Sequence, residues 1–159
     1  MTEPTGIDPR GPRFSAGITA VLLLVVIGLN LAELTLASVI LFAAITAVFA
    51  WGAFAGVKRH PYGLLFKKLV RPRLAAPTEL EDPIPPTFAQ GVGFVITLIG
   101  LVLGLLNVPF AIVVAASFAF IAAFLNSVFA YCLGCQIYLL LVRLGVLGRK
   151  NSSKGAATA

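Results

Sequence analysis

An all-α fold, a four-helix transmembrane bundle with both termini cytoplasmic, is predicted by three observations. Four apolar runs are each long enough to cross a bilayer. Almost all charge lies in three short stretches outside them. No run alternates polar and apolar residues as a membrane strand does. The 159 residues are 59% hydrophobic and only 11% charged. A soluble domain carries about 25% charged residues, so too little polar surface remains here to cover a water-exposed globule. One domain is expected at this length.

A helical span needs roughly 20 apolar residues. Residues 14–30, 34–57, 88–106 and 110–130 meet that need, and only as helices do they satisfy their own backbone polar groups in lipid. The first run follows Arg10 and Arg13 and so imitates a signal peptide. A second run starts within a few residues, so cleavage would leave almost no loop, and the first is expected to be a retained span.

Charge sets the orientation. Arg10 and Arg13 precede the first span. Lys58, Arg59, Lys67, Lys68, Arg71 and Arg73 lie between the second and third. Arg143, Arg149, Lys150 and Lys154 follow the fourth, and the connections 30–33 and 107–109 hold no Lys or Arg. The positive-inside rule then places both termini and loop 58–87 in the cytoplasm. The net charge of +6 is explained by these flanks and anionic headgroups, so no nucleic acid partner is expected. The layout is a cytoplasmic segment 1–13, a membrane domain 14–147 and a disordered cytoplasmic tail 148–159.

Within the middle loop, Leu65, Phe66, Leu69 and Val70 recur at helical spacing, with Lys67, Lys68 and Arg71 on the opposite flank. That pattern predicts an interfacial helix over 63–71, its apolar side in the inner leaflet, ended by Pro72. Residues 77–86 are acidic and proline-rich and read as a semi-rigid connector. The entry to the first span, Pro12, Phe14 and Gly17, is echoed at the third by Pro86, Phe88 and Gly91, and Asn30 and Asn107 each sit at an outer turn. Two duplicated hairpins in parallel orientation explain the echo. So does the common use of Pro and aromatic residues at helix entries. Gly52 with Gly56, and Gly100 with Gly104, have the spacing that lets helices approach closely in lipid.

Chemistry is concentrated at Cys132 and Cys135. About one random placement of two cysteines in eighty gives a CxxC spacing, so the pair is a redox candidate. A short helix over 136–147, after a break at Gly134, would place the first thiol near a helix start, where the dipole favours its thiolate. Packing is the plain alternative for both residues. A closed zinc site needs four ligands, and His60 is the only other Cys or His, so a Cys132–Cys135–His60 set is the weaker metal alternative. In a reducing cytoplasm a permanent disulfide is not expected. His60 itself reads as a solvated turn residue beside Pro61 and Gly63. Asn126 and Ser127 are the buried polar candidates of the last span, suited to interhelical hydrogen bonds. Glu79, Glu81 and Asp82 form a solvated acidic run. No ionisable group sits mid-span, which argues against proton coupling, and no cofactor is expected.

Several separated motifs agree in order with one family. Residues 7–14 (Ile-Asp-Pro-Arg-Gly-Pro-Arg-Phe), His60-Pro61-Tyr62-Gly63, Leu69-Val70-Arg71-Pro72, Pro86-Thr87-Phe88-Ala89-Gln90, Phe124-Leu125-Asn126 and Tyr131-Cys132-Leu133-Gly134-Cys135 resemble the small bacterial membrane proteins catalogued as domain of unknown function forty-three ninety-five. The resemblance implies an inner-membrane protein with a CxxC, associated with thioredoxin-like or rhodanese-like sulfur enzymes. The expected partners are the lipid bilayer, such a soluble sulfur protein and further copies of the chain. The leading expectation is a thiol protein that exchanges disulfides or transfers sulfur. A non-enzymatic scaffold and a small-solute carrier are the alternatives.

Overall fold

The computed structural model describes residues 6–147 and is built from helices. Four are long: α1 (Arg10–Leu31), α2 (Thr35–Ala55), α4 (Ile84–Leu105) and α5 (Ala111–Phe129), each long and apolar enough to cross a membrane. Between α2 and α4, α3 (Pro61–Leu65) runs on through a π turn (Phe66–Val70) and a 3-10 turn (Arg71–Arg73). The last helix, α6 (Leu133–Arg143), is short. The four long helices alternate in direction, so one end carries the hairpin turns and the other the basic residues, α3 and α6.

The bundle closes as a ring in which α1 packs on α5 and α2 on α4, with α1–α2 and α4–α5 completing it. Leu23, Val26, Phe42, Ile45, Ile112 and Ala116 meet at its centre. Lipid tails are as apolar as these side chains, so close packing must hold the helices together rather than water exclusion. Gly100 and Gly104 serve this role as their spacing predicts: a Cβ at Gly100 would collide with Ala115, and one at Gly104 would lie 2.5 Å from Ile112 Cγ1. Gly56 differs. It ends α2 with φ +81°, a conformation that favours glycine, so its role is the turn and not a helix contact.

The buried polar groups differ from those singled out in the sequence. Asn126 and Ser127 are only half-buried, while Ser15, Thr19, Ser38, Thr46 and Thr97 are buried. Four of these hydroxyls donate to carbonyls one turn back: Ser15 to Gly11 (3.0 Å), Thr19 to Ser15 (3.0 Å), Thr46 to Phe42 (2.9 Å) and Thr97 to Gly93 (2.9 Å). Local bonds of this kind satisfy a hydroxyl without any partner helix. Ser38 instead donates across to the Val26 carbonyl (3.3 Å) and accepts from Asn30 Nδ2 (3.3 Å).

The echo in the sequence is a structural repeat. Adding 74 to the bounds of α1 gives those of α4, and adding 74 to Ala55, the end of α2, gives Phe129, the end of α5. The turns match bond for bond. Ala32 N–H donates to Gly28, Glu33 to Asn30 and Leu34 to Leu29; with the same shift, Leu106 donates to Val102, Asn107 to Gly104 and Val108 to Leu103. Glu33 and Asn107 both take the left-handed conformation these turns require (φ 62° and 61°). Gly56 and Ala130, the residues that end α2 and α5, also have positive φ. Aromatic pairs repeat as well: Phe14 on Phe66 (5.7 Å between ring centres) and Phe88 on Tyr138 (5.5 Å). Each repeat is therefore a helical hairpin followed by a basic-end helix that packs back on the hairpin's first helix, α3 on α1 and α6 on α4. Helices α1 and α4 run in the same sense, as parallel repeats do.

The basic end departs from expectation in two places. Phe66 does not face away from the bundle. It is 3% exposed and stacks on Phe14, because the π turn widens the helix and rotates this position inward. Leu64, Leu65 and Leu69 remain exposed. The connector is not a free spacer either. Ile7 and Glu81 exchange both backbone hydrogen bonds (2.9 Å each), tying the N-terminal segment across it. The tail expected to be disordered begins at residue 148 and lies outside the described residues.

Candidate functional site

Two helix starts at the basic end carry the titratable chemistry, one in each repeat.

In the second repeat, the chain leaves α5 through Ala130 (φ 55°) and extends through Cys132 (φ −86°, ψ 100°) before turning into α6. Cys132 is the residue that caps α6, and its Sγ accepts the Cys135 backbone N–H at 3.3 Å. The first turn of a helix has unpaired N–H groups and a partial positive charge, and the Cys132 sulfur sits against it. One turn on, Cys135 shares the same side. The Cα atoms are 5.2 Å apart and the sulfurs lie within disulfide-bonding distance. Both residues are half-buried.

The helix therefore starts earlier than the sequence predicts. Gly134 is inside its first turn and is not a break. Its role is close approach: a Cβ there would lie 2.5 Å from Ala89 Cβ and 2.6 Å from Ala89 Cα. Missing one side chain, the CxxC turn rests directly on the start of α4. Phe88 and Tyr138 pack beside that contact.

In the first repeat, the equivalent capping position is His60 (φ −63°, ψ 132°), just before Pro61 at the first helical position. It is not a solvated turn residue. His60 is 4% exposed. The site is walled by α2 and α4, where a Cβ on Gly52 would touch both His60 Cδ2 and the Gln90 side chain at 2.8 Å. The Tyr62 ring stands edge-on at 5.3 Å. Buried atoms His60 Nδ1 and Gln90 Oε1 each lack a hydrogen-bond partner. Burial pushes the His60 pKa below its ordinary 6.5, and the neighbouring Gln90 amide offsets part of that push. Burial likewise raises Tyr62.

Beside His60, Asp8 holds Arg10 in a fork: Nε donates to Oδ1 (2.9 Å), Nη2 to Oδ2 (2.8 Å), and the Arg10 backbone N–H adds a third bond (3.0 Å). The Arg10 hydrogen bonds hold the Asp8 carboxyl below its usual 3.8. Arg10 also donates to the Ala75 carbonyl (3.0 Å), so this ion pair anchors the connector.

His60 and the two cysteines are not brought together as one ligand set. No group of three His, Cys, Asp or Glu side chains suited to a metal occurs among the described residues. Each instead caps its own repeat's basic-end helix. Sequence reasoning found the cysteines and missed Gln90, whose signal was only its place in an otherwise apolar helix entry.

Fold and site together define a multi-pass helical membrane protein with a close cysteine pair capping a short helix at its basic end. The chain belongs to the family described as domain of unknown function (DUF4395), which matches residues 7–143. No curated protein and no solved structure matches it.

Proposed function

We propose that Cys132 and Cys135 form a reversible dithiol–disulfide couple at the cytoplasmic face of a bacterial inner membrane, serving a soluble thioredoxin-like or sulfurtransferase partner. The observation that carries this reading is the Cys135 N–H aimed at Cys132 Sγ at the start of α6. It favours negative charge on Cys132 and leaves Cys135 one turn away as the resolving thiol.

In the reducing direction, the Cys132 thiolate attacks one sulfur of the partner's disulfide. A mixed disulfide forms and the partner's other sulfur leaves as a thiolate. Cys135 then loses its proton and attacks Cys132 Sγ, expelling the partner's second thiolate. Two electrons pass to the partner, and the chain is left with the Cys132–Cys135 disulfide. The cytoplasmic orientation rests on the basic residues gathered at this end.

Replacing Cys135 with Ser should trap a partner on Cys132, seen as an adduct on non-reducing gels that dithiothreitol removes. The additional Cys132→Ser change should abolish it. If Cys132 in the reduced protein resists a membrane-permeant alkylating agent and Cys135→Ser traps nothing, the redox reading fails. A scaffold reading is then favoured by one observation, the seating of Gly134 on Ala89, which would make the pair a packing element.

A further inference from the structure

His60 opens onto a cavity of about 330 Å³ at the basic end of the first repeat. Its wall includes Asp8, Lys58, His60, Lys67, Arg71 and Gln90. Nothing in the thiol chemistry uses it. The cavity is small-molecule sized and polar on one side, with Phe66 and Gly11 on the other.

Three features of the wall point to the charge of its occupant. Lys58, Lys67 and Arg71 are all cationic. Among the described wall residues the one carboxylate, Asp8, is already engaged by the Arg10 fork at 2.8 Å. The imidazole of His60 is buried with Nδ1 unsatisfied, and Gln90 Oε1 beside it is unsatisfied too. A buried polar atom without a partner is costly: an acceptor oxygen of a ligand meets a His60 Nδ1–H, and a protonated ligand oxygen meets the acceptor Gln90 Oε1. A cation is disfavoured by Lys67 and Arg71. The N-terminal segment closes one side: Gly6, Ile7 and Asp8 line the cavity, and the Ile7–Glu81 bridge holds them there.

We infer that this cavity binds a small tetrahedral oxyanion, with Lys67 and Arg71 supplying charge, and His60 and Gln90 supplying directional hydrogen bonds. Phosphate and sulfate groups share three or four acceptor oxygens and a good match to guanidinium, and phosphate adds a protonated oxygen that can donate to Gln90 Oε1. The source is either the free ion or a lipid headgroup, since exposed Leu65 and Leu69 sit beside the cavity wall. The position that became a thiol cap in the second repeat is a buried imidazole cap in the first.

His60 is the only histidine in the chain, so its imidazole is a single-site probe. The experiment uses the full, tag-free chain, isotope-labelled at histidine, in phosphatidylcholine nanodiscs. Sodium phosphate and sodium sulfate are titrated at constant ionic strength against chloride. A saturable shift of the His60 resonances that chloride does not produce is expected for a free ion. In the Lys67→Gln/Arg71→Gln chain the apparent affinity should fall by about tenfold or more. Both side chains are exposed, so the bundle should survive the change. If only nanodiscs containing phosphatidylglycerol shift His60, and the same double change removes that shift, the oxyanion is a lipid headgroup. A response equal to that of chloride, no response in any arm, or a response unchanged by the double substitution overturns the proposal. The Cys132→Ser/Cys135→Ser chain should respond as the natural one does, which separates this site from the thiol reading.

Discussion

The two repeats share a backbone plan and differ in what they do with the helix that follows each hairpin. In the second, α6 is drawn onto α4 by an absent side chain at Gly134, and a cysteine caps it. In the first, the helix after Pro61 is held to α1 by an added aromatic, Phe66, and a buried histidine caps it. Close approach seats the cysteine turn directly on Ala89. The wider π turn, propped on Phe66, leaves space that basic side chains line. One architecture thus presents a compact thiol turn and a cationic pocket at the same end of the bundle.

The largest test of that difference is Phe66→Ala. It removes the prop on which the first repeat's basic-end helix rests, and about 3 kcal/mol of stability should go with it. Tyr138→Ala, its half-buried counterpart, should lose clearly less. Thermal unfolding in detergent micelles would compare the two, and equal losses would break the comparison. Next in size is Gly134→Ala. Its Cβ meets the Ala89 backbone, so about 1–3 kcal/mol of overpacking is expected, and disulfide formation should slow. Gly63→Ala is the control in the first repeat, because its Cβ would find ordinary contacts at 3.5 and 3.8 Å.

A smaller effect is a pH slope carried by one repeat. The folded state holds the His60 pKa below 6.5, so its contribution is full above pH 6.5 and is lost as pH falls through the lowered value. Unfolding midpoints should drop between neutral and mildly acidic pH. His60→Gln should flatten that slope, whereas Cys132→Ser/Cys135→Ser should leave it intact. Bound oxyanion opposes the slope, because negative charge beside the imidazole favours its protonated form. The smallest effect is Asp8→Asn. Asp8 stays below 3.8 in the folded chain, so its contribution is present at neutral pH and is lost as pH falls through the lowered value. The pair is near the surface and screened, so the change should loosen the connector, seen as faster amide exchange at Glu81, with little change in the unfolding midpoint.

Spans were legible because hydropathy acts through solvent, and lipid imposes it on each helix independently. The cysteine pair was legible from spacing alone. His60 was not, since Lys58, Arg59 and Pro61 around it give the local signature of a solvated turn. Its burial comes from Gly52 on α2 and Gln90 on α4, residues 8 and 30 positions away along the chain. Phe66 was misplaced because periodicity assumes a regular helix, and the π turn breaks that period. The repeat was half-legible. Pro12 with Pro86, and Phe14 with Phe88, hinted at it, but shared turn bonds between unlike residues such as Glu33 and Asn107 left no sequence trace.

By itself, then, the sequence determined the number of long apolar helices, which stretches of the chain form them, which end is basic and which two cysteines can meet. These depend on transfer of single segments between water and lipid and on bonds within one turn. Tertiary structure alone decided that α1 packs on α5 and α2 on α4, that Gly134 lets the thiol turn touch Ala89, and that His60 faces a cationic cavity. Those outcomes depend on which surfaces fit together across helices distant in sequence, a condition that no local pattern of residues encodes.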